Sequence, residues 1–431
     1  MLSNNITIGK NGHLYFGGHD TVSLAREYGT PLYVMDEMRI RKNMRMYLHA
    51  FADHFGSGSY PMYASKANSF KRIYEIADEE GMGIDVVSSG EIYTAMKAGF
   101  PMEKSCFHGN NKTDDDISFA MDAGVGCFVV DNWEEIDAIN SIAGRKGKVQ
   151  PVLLRLTPGI DPHTYAAVST GKVDSKFGTA IETGQAKEMV KRTLALPNIS
   201  LKGFHCHVGS QVFGEDIYER ASDVMLKFIA ECRDSFGFEA ERLDMGGGYG
   251  VRYTEQDDSL DIPSAIGSVA AHIKEKCAEL GISMPKISME PGRSIVADAG
   301  MTLYTVGTVK KITGYKNYVS VDGGMTDNPR YALYGSRYTV YSASRPADAC
   351  DLTCDLAGRC CESGDIIQPD IRLPEPHRGE IIAVCTTGAY NYSMASNYNR
   401  LPRPAVVMVT PERSYVAVRR ESLDDLVKND L

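Results

Sequence analysis

The fold is decided by one strand and one helix in direct succession, Tyr60-Pro61-Met62-Tyr63-Ala64-Ser65-Lys66-Ala67-Asn68 and then Phe70-Lys71-Arg72-Ile73-Tyr74-Glu75-Ile76-Ala77. The first run opens with a short apolar stretch, which is typical of a buried strand, and the second has apolar residues at helical spacing. The alternation continues to about residue 300, with further short apolar runs centred on Ile84, Phe107, Phe128, Leu153, Phe204, Leu243 and Ile287. Eight strand–helix units over roughly 240 residues predict a (β/α)₈ barrel of the TIM type.

An open, doubly wound sheet is the alternative to a barrel. That fold usually has a glycine-rich turn after its first strand, whereas this chain has Ser65-Lys66-Ala67 there. The run Gly246-Gly247-Gly248-Tyr249-Gly250 comes only after the seventh strand and lacks the dinucleotide-binding spacing. The barrel is therefore the favoured architecture.

Both flanks of the barrel are predicted to be β structure. Residues 300–320 and 380–420 are rich in Val, Tyr, Thr and Ile, and residues 6–34 are β-like in part. The runs Ala405-Val406-Val407-Met408-Val409 and Tyr415-Val416-Ala417-Val418 predict a β-hairpin. We therefore predict an α/β plus β protein with a second β domain, sandwich- or barrel-like, built from both chain ends. Residues 1–37 and 300–431 are assigned to that domain, and residues 38–299 to the barrel.

Composition narrows the classes of protein that the chain can belong to. The 431 residues carry a formal net charge of −10, which argues against a nucleic-acid or anionic-membrane partner. The N-terminus has no basic region followed by an apolar run, so we predict no signal peptide, and no apolar stretch approaches the ~20 residues of a membrane-spanning helix. We expect a cytoplasmic protein whose ten cysteines are mostly reduced.

The polar clusters of the barrel region all follow strand ends. They are Lys66 after strand one, Asp85 and Ser88-Ser89-Gly90-Glu91 at strand two, His207-Val208-Gly209-Ser210 after strand six, Gly246 to Gly250 after strand seven, and Glu290-Pro291-Gly292-Arg293 after strand eight. Barrel enzymes place their chemistry on loops at the C-terminal strand ends and often bind phosphate after strands seven and eight. Five clusters on one rim therefore predict an active site there.

These residue types fit an enzyme that uses pyridoxal 5'-phosphate (PLP). A partly desolvated Lys66 can form a Schiff base with the cofactor. Glu290 can face the pyridine nitrogen and keep it protonated, so that the ring accepts electrons when CO₂ leaves. Backbone N–H groups of the glycine run can bind the phosphate, and the His207 ring can pack on the cofactor. Each feature alone has an ordinary structural explanation, such as a surface lysine or a tight glycine turn, but their common location favours the cofactor.

A metal site is not predicted. The run His205-Cys206-His207 contains ligand residue types. On a strand the two histidines share a face, but no second cluster is spaced to join them.

The motifs together resemble a known family. Those in the barrel resemble the fold-type III PLP-dependent decarboxylases, and those of the C-terminal third resemble the diaminopimelate decarboxylases. The barrel motifs are Lys66, His205 to Gln211, Gly246-Gly247-Gly248 and Glu290 to Arg293. The C-terminal motifs are Val321 to Arg330, Ala332-Leu333-Tyr334-Gly335, Cys361-Glu362-Ser363-Gly364-Asp365 and Thr387-Gly388-Ala389-Tyr390.

The resemblance implies decarboxylation of meso-2,6-diaminopimelate to L-lysine and CO₂, the last step of lysine biosynthesis. It implies catalytic roles for Lys66 as the Schiff-base lysine, His207 stacked on the ring, and Cys361 as proton donor. PLP binding is assigned to Lys66, Asp85, His207, Ser210, Gly247, Gly248, Glu290, Pro291, Gly292, Arg293 and Tyr390. Substrate binding is assigned to Arg293, Arg330, Tyr334, Glu362 and Tyr390. In this family Cys361 and Glu362 belong to the neighbouring subunit, which implies a homodimer with shared active sites.

Other activities stay open at this point. An arginine fork suits the carboxylate that diaminopimelate keeps, so Arg293 and Arg330 argue against ornithine or arginine as substrate, and less firmly against D-lysine. A related racemase is disfavoured by Glu290, and a non-catalytic PLP-binding protein by the Cys361-Glu362 pair. Only the alignment with Glu362-Ser363 selects Cys361 rather than its neighbour Cys360 as the proton donor. Residues 163–178 are predicted to form a long, glycine-containing loop after strand five that could close over the site.

Overall fold

The computed structural model describes residues 1–160, 175–214 and 216–431. The chain forms two compact units. The β unit contains Met1–Asn43, Val251–Asp258 and Ile295–Leu431, and the barrel unit contains Met44–Gly250 and Ser259–Ser294. The domain boundaries predicted at 37/38 and 299/300 stay a prediction. Of the loop predicted at 163–178, residues 163–174 lie outside the described residues.

The barrel unit contains a closed ring of eight parallel strands. They are β1 (Tyr60–Ala64), β2 (Gly83–Val86), β3 (Ser105–Phe107), β4 (Cys127–Val130), β5 (Gln150–Thr157), β6 (Ile199–His205), β7 (Arg242–Asp244) and β8 (Lys286–Met289). Each strand pairs with the next, and β8 closes the ring on β1, with Ser288 opposite Tyr60. The short strand Thr179–Ala180 extends β5 at Leu156 and Thr157. All eight predicted strand centres lie in these strands, so the predicted TIM-type barrel is confirmed.

Helices connect the strands of the barrel unit. They are α1 (Lys71–Glu80), α2 (Ser89–Lys97), α3 (Asp114–Ala123), α4 (Trp133–Arg145), α5 (Gln185–Leu194), α6 (Asp216–Phe236) and α7 (Ile262–Leu280). The apolar positions of α1 that suggested a helix, Ile73, Tyr74, Ile76 and Ala77, form its buried face, as expected of an amphipathic helix on a barrel. Short 3₁₀ turns occur at Ser65–Ala67 and Met102–Lys104.

The β unit is built from both chain ends, as predicted. Its main sheet has the strand order Ile366–Leu373, Leu352–Ala357, Lys316–Val321, Gly300–Ile312, Leu32–Asp36, Ala405–Val409 and Ser414–Val418. Two further strands branch from this order: Ile381–Cys385 pairs with Gly300–Ile312, and Val340–Ser342 pairs with Ile381–Cys385. The N-terminal strand Leu32–Asp36 is inserted antiparallel to Gly300–Ile312 and parallel to Ala405–Val409. The predicted hairpin of the last two strands is confirmed.

The remaining elements are short, apart from one helix. A small sheet joins Ile6–Ile8, Leu14–Phe16 and His19–Asp20. The helices are Thr21–Tyr28, Glu37–His54, Arg293–Val296, Arg330–Tyr334 and Leu423–Val427, with 3₁₀ turns at Tyr392–Met394 and Tyr398–Arg400. Within the described ranges, no helix combines the length and apolarity needed to cross a membrane.

Candidate active site

Polar side chains of the barrel unit converge where the parallel strands end. Lys66 is the exposed residue of the 3₁₀ turn directly after β1, between the buried Ser65 and Ala67, and Asp85 is the buried second-to-last residue of β2. Glu290 follows β8 directly and is also buried. Since the carboxyl ends of a closed parallel barrel form one rim, the structure brings these predicted residues to the same rim.

Glu290 is the electrostatic centre of this rim. Its Oε1 lies 2.7 Å from Nε2 of His108, and its Oε2 lies 3.2 Å from Nε2 of His205. Burial by itself raises the pKa of Glu290, but the two imidazoles outweigh it and hold the pKa well below its usual range. Burial also lowers the pKa of His108 to about 4, although the charge of Glu290 opposes this. The site therefore holds an ionised carboxylate away from bulk water.

The pKa of Asp85 is shifted in the opposite direction to that of Glu290. Burial raises its pKa well above the usual range, and the negative charge of Glu290 adds to this, while the charge of Lys66 opposes both. Its Oδ1 accepts no hydrogen bond from the described residues. Buried carboxylate oxygens are normally satisfied. An unsatisfied one beside a lysine therefore fits a site that accommodates a polar ligand.

The glycine run after β7 is packed so closely that no side chain fits. A Cβ atom on Gly247 would lie 2.0 Å from the carbonyl oxygen of Glu290, and one on Gly248 would lie 2.1 Å from that of Gly209. Asp244 accepts the N–H of Gly246 at 2.9 Å and the hydroxyl of Ser288 at 2.8 Å, which shapes the turn. Unobstructed backbone of this kind fits the predicted binding of a phosphate group.

The loops after β6 and β8 are tied together by side chains. Arg293 donates from Nε and Nη2 to the hydroxyl of Ser210, at 3.2 and 3.0 Å. His207 is half-buried, and burial, followed by the positive charges of Lys66 and Arg155, holds its pKa well below the usual range. A neutral, flat ring is thereby available at the rim, as the predicted packing on a cofactor requires.

The loop after β8 also packs on the turn that carries Lys66. The carbonyl of Pro291 accepts the N–H of Ala64 at 3.0 Å. A Cβ atom on Gly292 would lie 3.0 Å from the Cβ atoms of both Ala64 and Ala67. The residues around Glu290 therefore help to set the direction of the lysine turn.

Three polar residues of the rim were not assigned to the site from the sequence. His108 follows β3, His205 ends β6, and Arg155 lies near the end of β5, with its guanidinium 4.5 Å from the Phe177 ring. The charge of Arg155 acts on both Asp131 and Glu290. A cation inside the apolar run Val152-Leu153-Leu154-Arg155-Leu156 was the available signal, because such a residue is rarely buried without a partner.

The group His108, His205 and Glu290 has a further chemical property. One ligand atom of each lies within 4.8 Å of the others, and nitrogen and carboxylate donors are those that zinc prefers. The same carboxylate also suits the protonated nitrogen of a pyridine ring. The absence of a metal site stays a prediction.

The β unit brings together a second set of predicted residues. The guanidinium of the buried Arg330 lies 5.1 Å from the ring centres of both Tyr334 and Tyr390, a cation–π arrangement. Tyr390 has a φ of 63°, a strained conformation that is typical of functional positions. Cys361 and Glu362 lie exposed in another turn of this unit.

The tandem cysteines have different environments. Cys360 is half-buried, and burial, followed by the negative charge of Asp365 and a hydrogen bond to it, raises the pKa of its thiol to about 12. Cys361 is exposed, and its backbone N–H donates to Oδ1 of Asn399 at 2.7 Å. The accessible thiol of the pair is thus Cys361.

Comparisons with known proteins agree with this geometry. Residues 37–297 match the family model described as pyridoxal-dependent decarboxylase, pyridoxal binding domain. The chain is 46% identical to a diaminopimelate decarboxylase of Bacillus subtilis (strain 168), over 98% of this chain and 96% of the relative. It is 42% identical to that of Staphylococcus aureus (strain COL), over 98% of both chains. A crystal structure of diaminopimelate decarboxylase from M. jannaschii in complex with L-lysine superposes with a TM-score of 0.91, at 33% identity, over 100% of this chain and 99% of that one.

Proposed function

Because the chain belongs to the diaminopimelate decarboxylase family of pyridoxal-dependent decarboxylases, we propose that it converts meso-2,6-diaminopimelate to L-lysine and CO₂, the last step of lysine biosynthesis. As a family member it is a carboxy-lyase with PLP as cofactor. The observation that carries the substrate assignment is the 46% identity over almost the whole chain to a relative of that name. A structural neighbour bound to L-lysine supports the product.

We propose that Lys66 holds the cofactor as a Schiff base and that Glu290 faces its pyridine nitrogen. Bound PLP supplies an electron sink for the carbon that loses CO₂. The low pKa of Glu290 supports this role, because an ionised, buried carboxylate stabilises a protonated ring nitrogen. Asp85 lies at the same rim, within electrostatic reach of Lys66, and we assign it to the lysine end of the cofactor.

The phosphate and the face of the ring are assigned to the loops after β6, β7 and β8. The backbone of Gly247 and Gly248 and the hydroxyl of Ser210 would bind the phosphate. The stretch Glu290-Pro291-Gly292-Arg293 lines the cofactor, and His207 packs on its ring. Close backbone packing at both glycines and the Arg293–Ser210 hydrogen bonds support this arrangement.

Substrate binding is assigned to Arg293, Arg330, Tyr334, Glu362 and Tyr390, with Tyr390 also touching the cofactor. Arg330 offers a fork for the carboxylate that the substrate keeps, and its two aromatic neighbours restrict its orientation. Glu362 would bind the distal ammonium group. Cys361 would return a proton to the carbon that has lost CO₂, and the exposure of its residue supports this choice over Cys360.

We further propose a homodimer in which Cys361 and Glu362 serve the partner's active site. Exposure of both residues is compatible with a role outside their own chain. A cytoplasmic location is proposed as well. All ten cysteines, each of them a described residue, are free thiols, which fits a reducing compartment.

The activity is tested by product analysis with meso-diaminopimelate, ornithine, arginine and D-lysine, each offered separately to the PLP-loaded enzyme. We expect CO₂ and L-lysine in equal amounts from meso-diaminopimelate and little CO₂ from the other three. Preferential release of CO₂ from any of those three would overturn the substrate assignment while leaving the family and the cofactor unchanged.

A further inference from the structure

One buried carboxylate of the β unit joins two turns that carry proposed active-site residues. The arginine turn, residues 323–330, ends at Arg330, and the cysteine turn, residues 358–365, contains Cys361 and Glu362. Asp365 is 3% exposed. Its Oδ1 accepts the N–H of Met325 at 2.6 Å and its Oδ2 accepts the N–H of Cys360 at 2.7 Å. Each carboxylate oxygen of Asp365 therefore binds the backbone of one turn.

Close packing fixes the carboxylate between the two turns. A Cβ atom on Gly324 would lie 2.4 Å from Oδ2 of Asp365, and one on Gly358 would lie 2.2 Å from it. Backbone bonds complete the junction, because Arg359 donates to the carbonyl of Gly323 at 2.9 Å. Since the carboxylate is packed against both turns and binds a backbone N–H of each, neither turn can shift alone without losing a buried hydrogen bond.

The same residue is bound to the backbone of the turn that carries Cys361. Three backbone bonds close the cysteine turn. They run from Gly358 to the carbonyl of Asp365 at 2.9 Å, from Glu362 to that of Cys360 at 2.8 Å and from Asp365 to that of Glu362 at 3.1 Å. Asp365 accepts the backbone N–H of Cys360, whose residue is half-buried, whereas Cys361 is exposed. Because the N–H of Cys360 is bound to the buried carboxylate, the exposed thiol of the pair is that of the next residue, Cys361.

We propose that Asp365 is a positioning residue, which locks the arginine turn and the cysteine turn into one arrangement and so fixes where Arg330 and Cys361 stand. This inference rests on the proposed roles of Arg330 in substrate binding and of Cys361 in proton return. It assigns to Asp365 no contact with substrate or cofactor. Its effect on the reaction passes through the backbone of the two turns.

The test uses Asp365→Asn, because an amide keeps the size of the carboxylate but presents an NH₂ group to one of the two N–H donors. Loss of CO₂ depends on the barrel residues and the cofactor, whereas lysine also requires a proton at the carbon that lost CO₂. A proton placed on the cofactor instead leads, with water, to an aldehyde and pyridoxamine phosphate. The ratio of lysine to CO₂ therefore reports the position of the proton donor.

With meso-diaminopimelate and the PLP-loaded enzyme, we expect Asp365→Asn to lower kcat roughly 10- to 100-fold, to raise KM and to lower the ratio of lysine to CO₂ below one. The matched control is Asp355→Asn. Asp355 is 4% exposed, belongs to the same unit and accepts the N–H of Asp370 at 3.0 Å, but it touches neither turn. We expect the control to keep the ratio at one, even if its melting temperature falls.

Gly358→Ala provides a second variant if Asp365→Asn is not recovered as folded protein. It displaces the carboxylate without removing it, and the same fall in the ratio is expected. An unchanged ratio and KM in a folded variant, or loss of folded protein in both, would show that Asp365 acts on stability alone. If the original enzyme makes no lysine from meso-diaminopimelate, the proposed function fails instead, independently of Asp365.

Discussion

The rim of the barrel unit and the two turns of the β unit position their polar groups by different means. At the rim, side chains stand at the ends of parallel strands and act on one another through charge, as Glu290 does with His108 and His205. In the turns, the carboxylate of Asp365 is used to bind backbone N–H groups. The rim therefore tunes protonation, and the turns fix position. Substitutions at the two places should differ in kind as well as in size.

The largest effect is expected from Lys66→Ala at the rim. Without the amine no imine forms between enzyme and cofactor, so the absorbance of that imine near the visible edge should disappear and turnover should fall roughly 10⁴-fold or more. Absorbance spectra and CO₂ release measure the two effects. Lys71→Ala, an exposed lysine at the start of α1, should change neither. An imine spectrum with turnover in Lys66→Ala would disprove the assignment.

The difference between the two regions also explains what the sequence could predict. Each rim position follows an apolar run, so a strand prediction also predicts the location of Lys66, Asp85 and Glu290. His108 was missed because one histidine after a short strand gives no signal until the strands close into a ring. His205 belongs to a family motif, but the sequence does not predict its contact with Glu290, because that contact joins residues 85 positions apart.

The turns of the β unit have no such periodic signal. The family resemblance alone assigns roles to Cys361 and Glu362, and it gives none to Asp365 in the same motif. Its partners, Met325 and Cys360, lie in two turns that meet only after the sheet has formed. Side-chain to backbone bonds between distant segments depend on tertiary geometry, which neither propensity nor spacing encodes.

The tandem cysteines test the β unit directly. We expect Cys361→Ala to lower kcat about 100-fold, within the range of a lost general acid, with little change in the PLP spectrum. Cys360→Ala should lower it far less, because that residue is half-buried and burial raises the pKa of its thiol to about 12. Steady-state kinetics on both variants measure the difference. Equal effects, or a larger effect for Cys360→Ala, would contradict the choice of Cys361.

A smaller effect is expected from Gly247→Ala, which tests whether the rim also relies on fixed backbone. The added Cβ would lie 2.0 Å from the carbonyl oxygen of Glu290, so the glycine loop must move. Overpacking of this kind costs about 1–3 kcal/mol, and we expect PLP affinity to fall roughly 10- to 100-fold. The control is Gly307→Ala in the β unit, where the nearest atom is 3.7 Å away. Equal PLP affinity in the two variants would show that the glycine run is an ordinary turn.

The smallest expected effect concerns the protonation of Glu91 in α2. Burial raises its pKa to about 7. The hydrogen bond from the N–H of Val87 and the charge of Lys66 lower the pKa, but burial outweighs both. A carboxyl whose pKa is higher in the folded than in the unfolded protein binds its proton more tightly when folded. Stability therefore falls as pH rises from about 4.5 to 7, and the loss is complete above pH 7.

Glu91→Gln keeps an oxygen for the N–H of Val87 and removes the charge, so it should abolish this loss. We expect its free energy of unfolding in urea to exceed that of the original protein by roughly 1–3 kcal/mol at pH 8 and to match it near pH 4. Glu103→Gln, an exposed glutamate, should leave the pH dependence unchanged. If the variant is no more stable than the original at pH 8, the protonation of Glu91 does not affect the free energy of unfolding. Shifted pKa values that matter for the rim would then be confined to the group around Glu290.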